Sequence, residues 1–521
     1  MIAPRRLRAP EGDGAVVAEP PLAEVGQLLS RNRAHLQQTN LTLLDRSLAE
    51  LRRQARKCAI DEARAYLREA GEPVPPFADG PLLMAGHQPE LFHPGVWAKN
   101  FALHGLARKY CGIALNLVVD NDTAKATALR VPTRTTDAVP WPHALMLAYD
   151  RWVGEVPYEE REVADEDQFT QFSKRVVEAM RGWDFTPLVQ SFWEQVRLPA
   201  RRTRLLGERL AAARRHLERA WGSHNFEVPV SRLCKTESFA WFACHVLLEL
   251  PRFHAVYNAA VHDYRRVYEL RSRNHPVPDL VKDGDWLEAP FWGWRVGQTR
   301  RGRLLVRRRG TALELHVGTE AWPTLPIEKI TDHWKDLEGQ GFKVRSRALT
   351  NTLYARMFVS DLFVHGIGGG KYDELTDDIS RRFYGIAPPA FLVLSATKLL
   401  PAPRFAVETD DVRRLAREVR DLEYNPQRHV NGEEVRDLIA AKAAWIALAP
   451  VGAEERRRRF TTLRDLNRQM RPRAEERIRT ARRALEERRH WLTANAVLNR
   501  RDYSFCLFPE ETLRPFVTQF Q

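Results

Sequence analysis

Residues 81–122 read PLLMAGHQPELFHPGVWAKNFALHGLARKYCGIALNLVVDND, and this stretch decides the fold class. The apolar run at 82–85 suits a buried strand. A turn-rich passage, Gly-His-Gln-Pro-Glu-Leu-Phe-His-Pro-Gly, follows at 86–95. Helical spacing then runs from about Val96 to Tyr110. A second apolar run covers 113–119 and ends in Asp120, Asn121 and Asp122. Strand, helix and strand in close succession make a βαβ unit, which predicts a parallel pair. In such sheets ligands bind at the carboxyl ends of the strands. Both polar clusters, 86–93 and 120–122, fall at those ends and form the candidate site.

The residue types there fit anion and amine chemistry. Pro94 suits the first position of a helix. A helix start offers free N–H groups and a positive dipole end, which attract phosphate or carboxylate. His87 and His93 have the chemistry to hydrogen-bond phosphoryl oxygens, with packing against the sheet as the alternative. No third ligand stands nearby for zinc, and no metal is expected. Asp120, Asn121 and Asp122 suit an amine, a ribose or Mg²⁺, or equally a capped turn. A second notable stretch is residues 362–373, LFVHGIGGGKYD. Gly366, Gly368, Gly369 and Gly370 let the backbone approach a ligand closely, with Lys371 and Asp373 directly after them. This is not a P-loop, because it is one residue short and Tyr372 stands where Ser or Thr is required.

Around these stretches the 521 residues divide by composition. Residues 1–22 are Pro/Gly/Arg-rich and expected to be flexible. Residues 23–408 read as a core with insertions. Its first part, 23–70, is helical, with 45–70 expected as one helix. Residues 130–230 are mixed, with loops expected at Val131-Pro132 and at 139–142, and an edge strand or insertion at 156–161. Residues 285–325 alternate around glycine-bearing turns and predict an inserted antiparallel section. The main sheet pattern is expected to return at 343–349. Residues 409–500 are helix formers with spaced leucines and isoleucines, which predicts an antiparallel hairpin or coiled-coil arm with the option of dimer formation. The aromatic tail 501–521 is expected to pack on the core.

Five cysteines without a CxxC pair argue for reduced thiols and a cytoplasmic setting. No apolar run is long enough to span a bilayer, so no membrane role is expected. The net charge of +14 fits an anionic ligand. Much of that excess sits on carboxy-terminal helices that mix both signs, and nucleic acid is not the expected partner.

The loop 86–95, the cluster 120–122 and the ending Phe505-Cys506-Leu507-Phe508-Pro509-Glu510 together resemble the cysteine-adding enzyme family of bacillithiol biosynthesis (BshC). That family has a GQQPGLFTGP-like loop and an EDHD-like cluster at these places. Here His87 replaces a glutamine, Glu90 a glycine, and Asn121 stands in a cluster that lacks the histidine. The resemblance implies an α/β fold with a Rossmann-like parallel-sheet core, inserted connecting segments and a C-terminal coiled coil that forms a homodimer. It implies a ligase that joins cysteine to the amine of an amino-sugar conjugate of the glucosaminyl-malate type, with ATP or ADP as the nucleotide. His87, Asp120 and Asp122 would then be catalytic. Gly86, Gln88, His93, Asn121, Gly366, Gly368, Gly369, Gly370, Lys371 and Asp373 would bind substrate or nucleotide. The open alternatives are a nucleotidyl or phosphoryl transferase on another small molecule, and a non-catalytic RNA-binding protein that uses the basic helices.

Overall fold

A computed structural model describes residues 7–76, 79–134, 141–272 and 274–521. The expected loop at Val139-Pro140 lies outside the described residues. Strands β1 (Val16–Glu19), β2 (Leu82–His87), β3 (Ile113–Val118) and β4 (Phe226–Pro229) are followed by β5 (Trp286–Arg295), β6 (Gly302–Arg309), β7 (Ala312–Val317) and β8 (Phe342–Ser346), then β9 (Leu362–His365) and β10 (Leu392–Ala396).

The main sheet has the order β1-β10-β9-β2-β3-β4. All its pairings are parallel except that of β1, which runs antiparallel along β10. Residues 16–19, expected within a flexible terminus, are therefore an edge strand. Val17 and its neighbours supply the hydrogen bonds that β10 would otherwise leave open. The chain leaves β2 toward β3 and β4 on one side, and later returns to β9 and β10 on the other. The crevice between β2 and β9 is thus the point where strand order reverses.

Parallel strands covered on both faces read as unbroken apolar runs, and β2 and β3 do so. Leu82 and Met84 point to one face, where they meet α2 (Leu48–Glu69) and α5 (Glu237–Leu248). Leu83 and Ala85 point to the other, against α1 (Val25–Gln38) and α3 (Pro94–Lys109). The helix expected at 45–70 begins at Leu48, because the Ser47 hydroxyl accepts from Glu50 N and caps it. Helix α4 (Leu206–Ala220) lies beside β4 and α3, with Arg214 and Arg215 both paired to the buried Glu227.

The antiparallel section is present, but it is larger than its sequence pattern shows. Strand β8, expected in the main sheet, pairs with β5 from Phe291↔Ser346 to Arg295↔Phe342. Gly341, at φ +90°, turns the chain back onto β5 after the helix Ile330–Gly339. Val131 and Pro132, expected in a loop, lie in a strand paired with His143–Ala148. Residues 156–161, expected as an edge strand or insertion, form a bridge at Pro157 and a turn that carries Glu159 and Glu160.

Beyond β9 comes α6 (Ile367–Ile379), and after β10 the arm: α7 (Thr409–Tyr424), α8 (Glu433–Ala447) and α9 (Gly452–Leu498). Helix α9 has 47 residues, which makes it about 70 Å long at 1.5 Å per residue. Its apolar stripe, Leu466, Met470, Ala474, Ile478, Ala481 and Leu485, packs on Val419, Leu422 and Val435 of α7 and α8. That seam is filled within one chain. The tail, with α10 (Glu510–Thr518), packs on the core through Phe505, Leu507 and Phe516 beside Trp97 and Trp221. No helix among the described residues is long and apolar enough to cross a membrane.

Candidate functional site

The two stretches singled out in the sequence meet in space. Val364 pairs with Ala85, so Gly86-His87 and His365-Gly366 leave the sheet side by side. Strand β3 ends one position further along, with Leu117 opposite Gly86. A Cβ at Gly86 would sit 3.1 Å from Leu117 Cβ and 3.2 Å from its carbonyl oxygen. Glycine here lets neighbouring strand ends close up at the crevice.

Gly366 is the N-cap of α6, and no side chain caps that helix. The first intrahelical bond is Gly370 N to Gly366 O, at 2.9 Å. The N–H groups of Ile367, Gly368 and Gly369 therefore lack helical acceptors. The glycine-rich segment, expected as a ligand loop, is the first turn of a helix. Two of its glycines are there for packing. A Cβ at Gly369 would meet His365 Nδ1 at 2.7 Å, and one at Gly370 would meet Val393 Cγ2 at 2.6 Å. Gly368 faces open space, with nothing within 4 Å of an added Cβ. Lys371 is partly exposed on the next turn.

Asp373 does not face a ligand. It is buried and bonded to Arg356 Nη1 at 2.5 Å and to His365 Nε2 at 2.8 Å. Burial alone would raise its pKa, but Arg356 and His365 outweigh that and hold it well below the usual carboxylate range.

Lys99, which the motif reading passed over, reaches this crevice from α3. It is 4 % exposed. Its Nζ donates to Gly86 O at 3.3 Å. An added Cβ on Gly366 would lie 3.9 Å from the same nitrogen. No carboxylate among the described residues pairs with it, and burial pushes its pKa down to about 8. The signal was present in the sequence: Lys99 is the one charged side chain between Pro94 and Leu103.

Three imidazoles sit near this ammonium. His87 packs edge-on against Phe92, with centroids 5.0 Å apart, and its Nδ1 lies 3.1 Å from Gln88 O. Burial, then Lys99, lowers its pKa to about 3. His93 accepts from Gly95 N at 3.1 Å through Nδ1 and so caps α3. Burial, then Arg501, lowers its pKa to about 4. His365 is lowered too, chiefly by burial. His87 and His93 lie well below neutral pH, so the charge stabilisation expected of them is not available from an imidazolium. Lys99 is the positive charge at this crevice without a carboxylate partner among the described residues.

Asp120 and Asp122, two residues apart, have opposite surroundings. Asp122 accepts from Arg301 Nη2 at 2.9 Å and from Gln88 Nε2 at 2.8 Å. Burial opposes its ionisation, but Arg301 and Gln88 prevail and its pKa falls. Its carboxylate, expected to be catalytic, instead docks the antiparallel section on the core. Gln88, expected on the substrate, is its partner. Asn121 is buried, with Nδ2 donating to Ser346 O at 2.6 Å, so it too is a structural link.

Asp120 keeps a chemical opening. Ser231 donates to it through N at 2.9 Å and Oγ at 2.5 Å. Burial, then the nearby Glu159 carboxylate, raises its pKa to about 7. It lines a cavity of about 390 Å³ together with Tyr66, Tyr158, Glu159, Ser231, Arg232 and Lys343. Cys234, Cys244 and Cys506 are buried thiols with pKa values raised by burial, to about 12 for Cys234 and Cys506. Among the described residues no group of three His, Cys, Asp or Glu side chains is arranged to hold a metal ion.

No protein-family model matches this chain, and no curated protein matches it.

Proposed function

We propose that the chain is a Rossmann-like enzyme that forms an amide between an acyl donor and an amine. On the resemblance of its loops, the donor is cysteine and the amine belongs to an amino-sugar conjugate. The observation that carries this reading is Asp120. A carboxylate titrating near 7 is matched to taking a proton from an ammonium group at neutral pH. It borders a cavity of about 390 Å³ one strand away from the point where strand order reverses, where open α/β sheets bind their ligands. The five parallel strands run outward both ways from β2, an order that supports a Rossmann-like reading, although the sixth strand, β1, is antiparallel.

The test is amide formation from cysteine and an amino-sugar conjugate with ATP present, followed by mass spectrometry. Asp120→Asn is expected to lose about 10²–10⁴-fold in rate with no loss of melting temperature at neutral pH. Product formed equally by wild type and Asp120→Asn would remove Asp120 from the chemistry. No product and no binding of either substrate would sink the ligase assignment.

One observation favours a second reading. Residues 409–500 carry 22 lysines and arginines against 15 acidic residues, a surplus of 7 in a chain of net charge +14. Under this reading the arm binds RNA by its charge. Affinity for RNA that falls steeply with salt, and falls further after charge reversal at Arg479 and Arg483, would support it.

A further inference from the structure

We infer that Lys99 and the first turn of α6 form a phosphate subsite, so that one substrate of the reaction carries a phosphoryl group. The inference rests on reading this edge as the substrate site, and adds to it the class of ligand and the residue that selects it.

Three independent features converge on one spot. Lys99 Nζ is buried against Gly86 O with no carboxylate partner among the described residues. A buried ammonium without a counter-ion is costly, and a bound anion removes that cost. The first turn of α6 presents three N–H groups without helical acceptors, at the positive end of a 13-residue helix. That turn is bare: Gly366 and Gly368 place no side chain between the backbone and an approaching oxygen, and an added Cβ at Gly368 meets nothing within 4 Å. Several N–H donors and one ammonium suit the three oxygens of a terminal phosphate better than they suit one carboxylate.

The geometry also supplies two clean variants. Lys99→Met removes the charge and keeps the length of the side chain. Gly366→Ala is compatible with the backbone, at φ −81° and ψ 175°. Its methyl group would stand 3.9 Å from Lys99 Nζ, in the path of the anion.

The experiment is calorimetric titration of the full chain with inorganic phosphate, ATP, adenosine and malate. Phosphate and ATP are expected to bind and adenosine not to. Lys99→Met and Gly366→Ala are each expected to weaken phosphate by about tenfold or more. If Lys99→Met does not fold, Gly366→Ala decides alone. Phosphate affinity unchanged in the variants, no binding of phosphate or ATP to the wild type, or malate binding tighter than phosphate would each overturn the subsite. The two readings fail separately. Phosphate binding that the variants abolish, in a protein that makes no amide, keeps the subsite and discards the ligase assignment.

Discussion

The carboxyl edge of the main sheet and the helical arm handle charge in opposite ways. At the edge charges are few and buried, and each has a definite partner or a definite lack of one. Arg356 is 2 % exposed and tied to Asp373, while Lys99 has only a carbonyl oxygen. On the arm charges are many and, apart from the buried Lys442, mostly solvated, as in Arg479–Glu476, whose side chains are more than half exposed. Buried charge is expensive, so a single residue at the edge carries information about function. Solvated charge is cheap, so the arm's arginines matter only as a sum.

Four measurements would break or sharpen that contrast. The largest effect is expected from Arg356→Met, which leaves Asp373 buried without its cation and should cost about 3–5 kcal/mol in denaturant unfolding. A cost below about 1 kcal/mol would mean that the edge is as solvated as the arm. Next, Ile478→Ala in the arm seam should cost about 2–4 kcal/mol. Hydrogen exchange should place that loss in α7 and α9, with the main sheet unchanged. Exchange rising in the sheet would show that arm and core unfold as one unit.

The third measurement concerns Asp120. Its pKa is raised from the ordinary carboxylate value to about 7. Between about pH 4 and 7 the folded state therefore holds a proton that the unfolded state has lost. Stability should fall as pH rises through that window, by about 4 kcal/mol at most. Asp120→Asn should flatten this slope, and a slope that persists in the variant would assign it to another group. The smallest effect is expected from Arg479→Ala, at most about 0.5 kcal/mol and smaller still in high salt.

Much of the fold can be read from the chain because periodicity reports burial. The strands at 82–87 and 113–118, the helix between them and the strand at 312–317 all follow from runs and alternation. The arm follows from its spaced leucines. What is missed has a physical cause. Strand β8 alternates like any strand, and alternation does not name the partner sheet. Helix α3 is covered by the sheet on one side and by the tail on the other, so its apolar pattern has no solvent face. Lys99 in that helix then looks like an ordinary surface lysine unless one notices that it is the only charge before Arg108. The glycines at 366–370 read as a loop because their composition suits one, yet Gly369 and Gly370 are set by His365 and Val393 packed against them. Asp120 and Asp122 are indistinguishable in sequence. Arg301, 179 residues away from Asp122, separates their roles.

The clasp that docks the antiparallel section also gives the molecule a native optical gauge. Arg301, while holding Asp122, lies 4.6 Å from the Trp292 ring centroid, and Arg347 lies 4.1 Å from it. Indole emission shifts with the local field, and here two guanidinium groups stand over the ring, one of them tethered at the strand ends. Movement of Arg301 relative to Asp122 is thereby written into the fluorescence of one residue. Subtracting the spectrum of Trp292→Phe isolates it from the other thirteen tryptophans of the chain, so events at the edge can be timed in solution without a label.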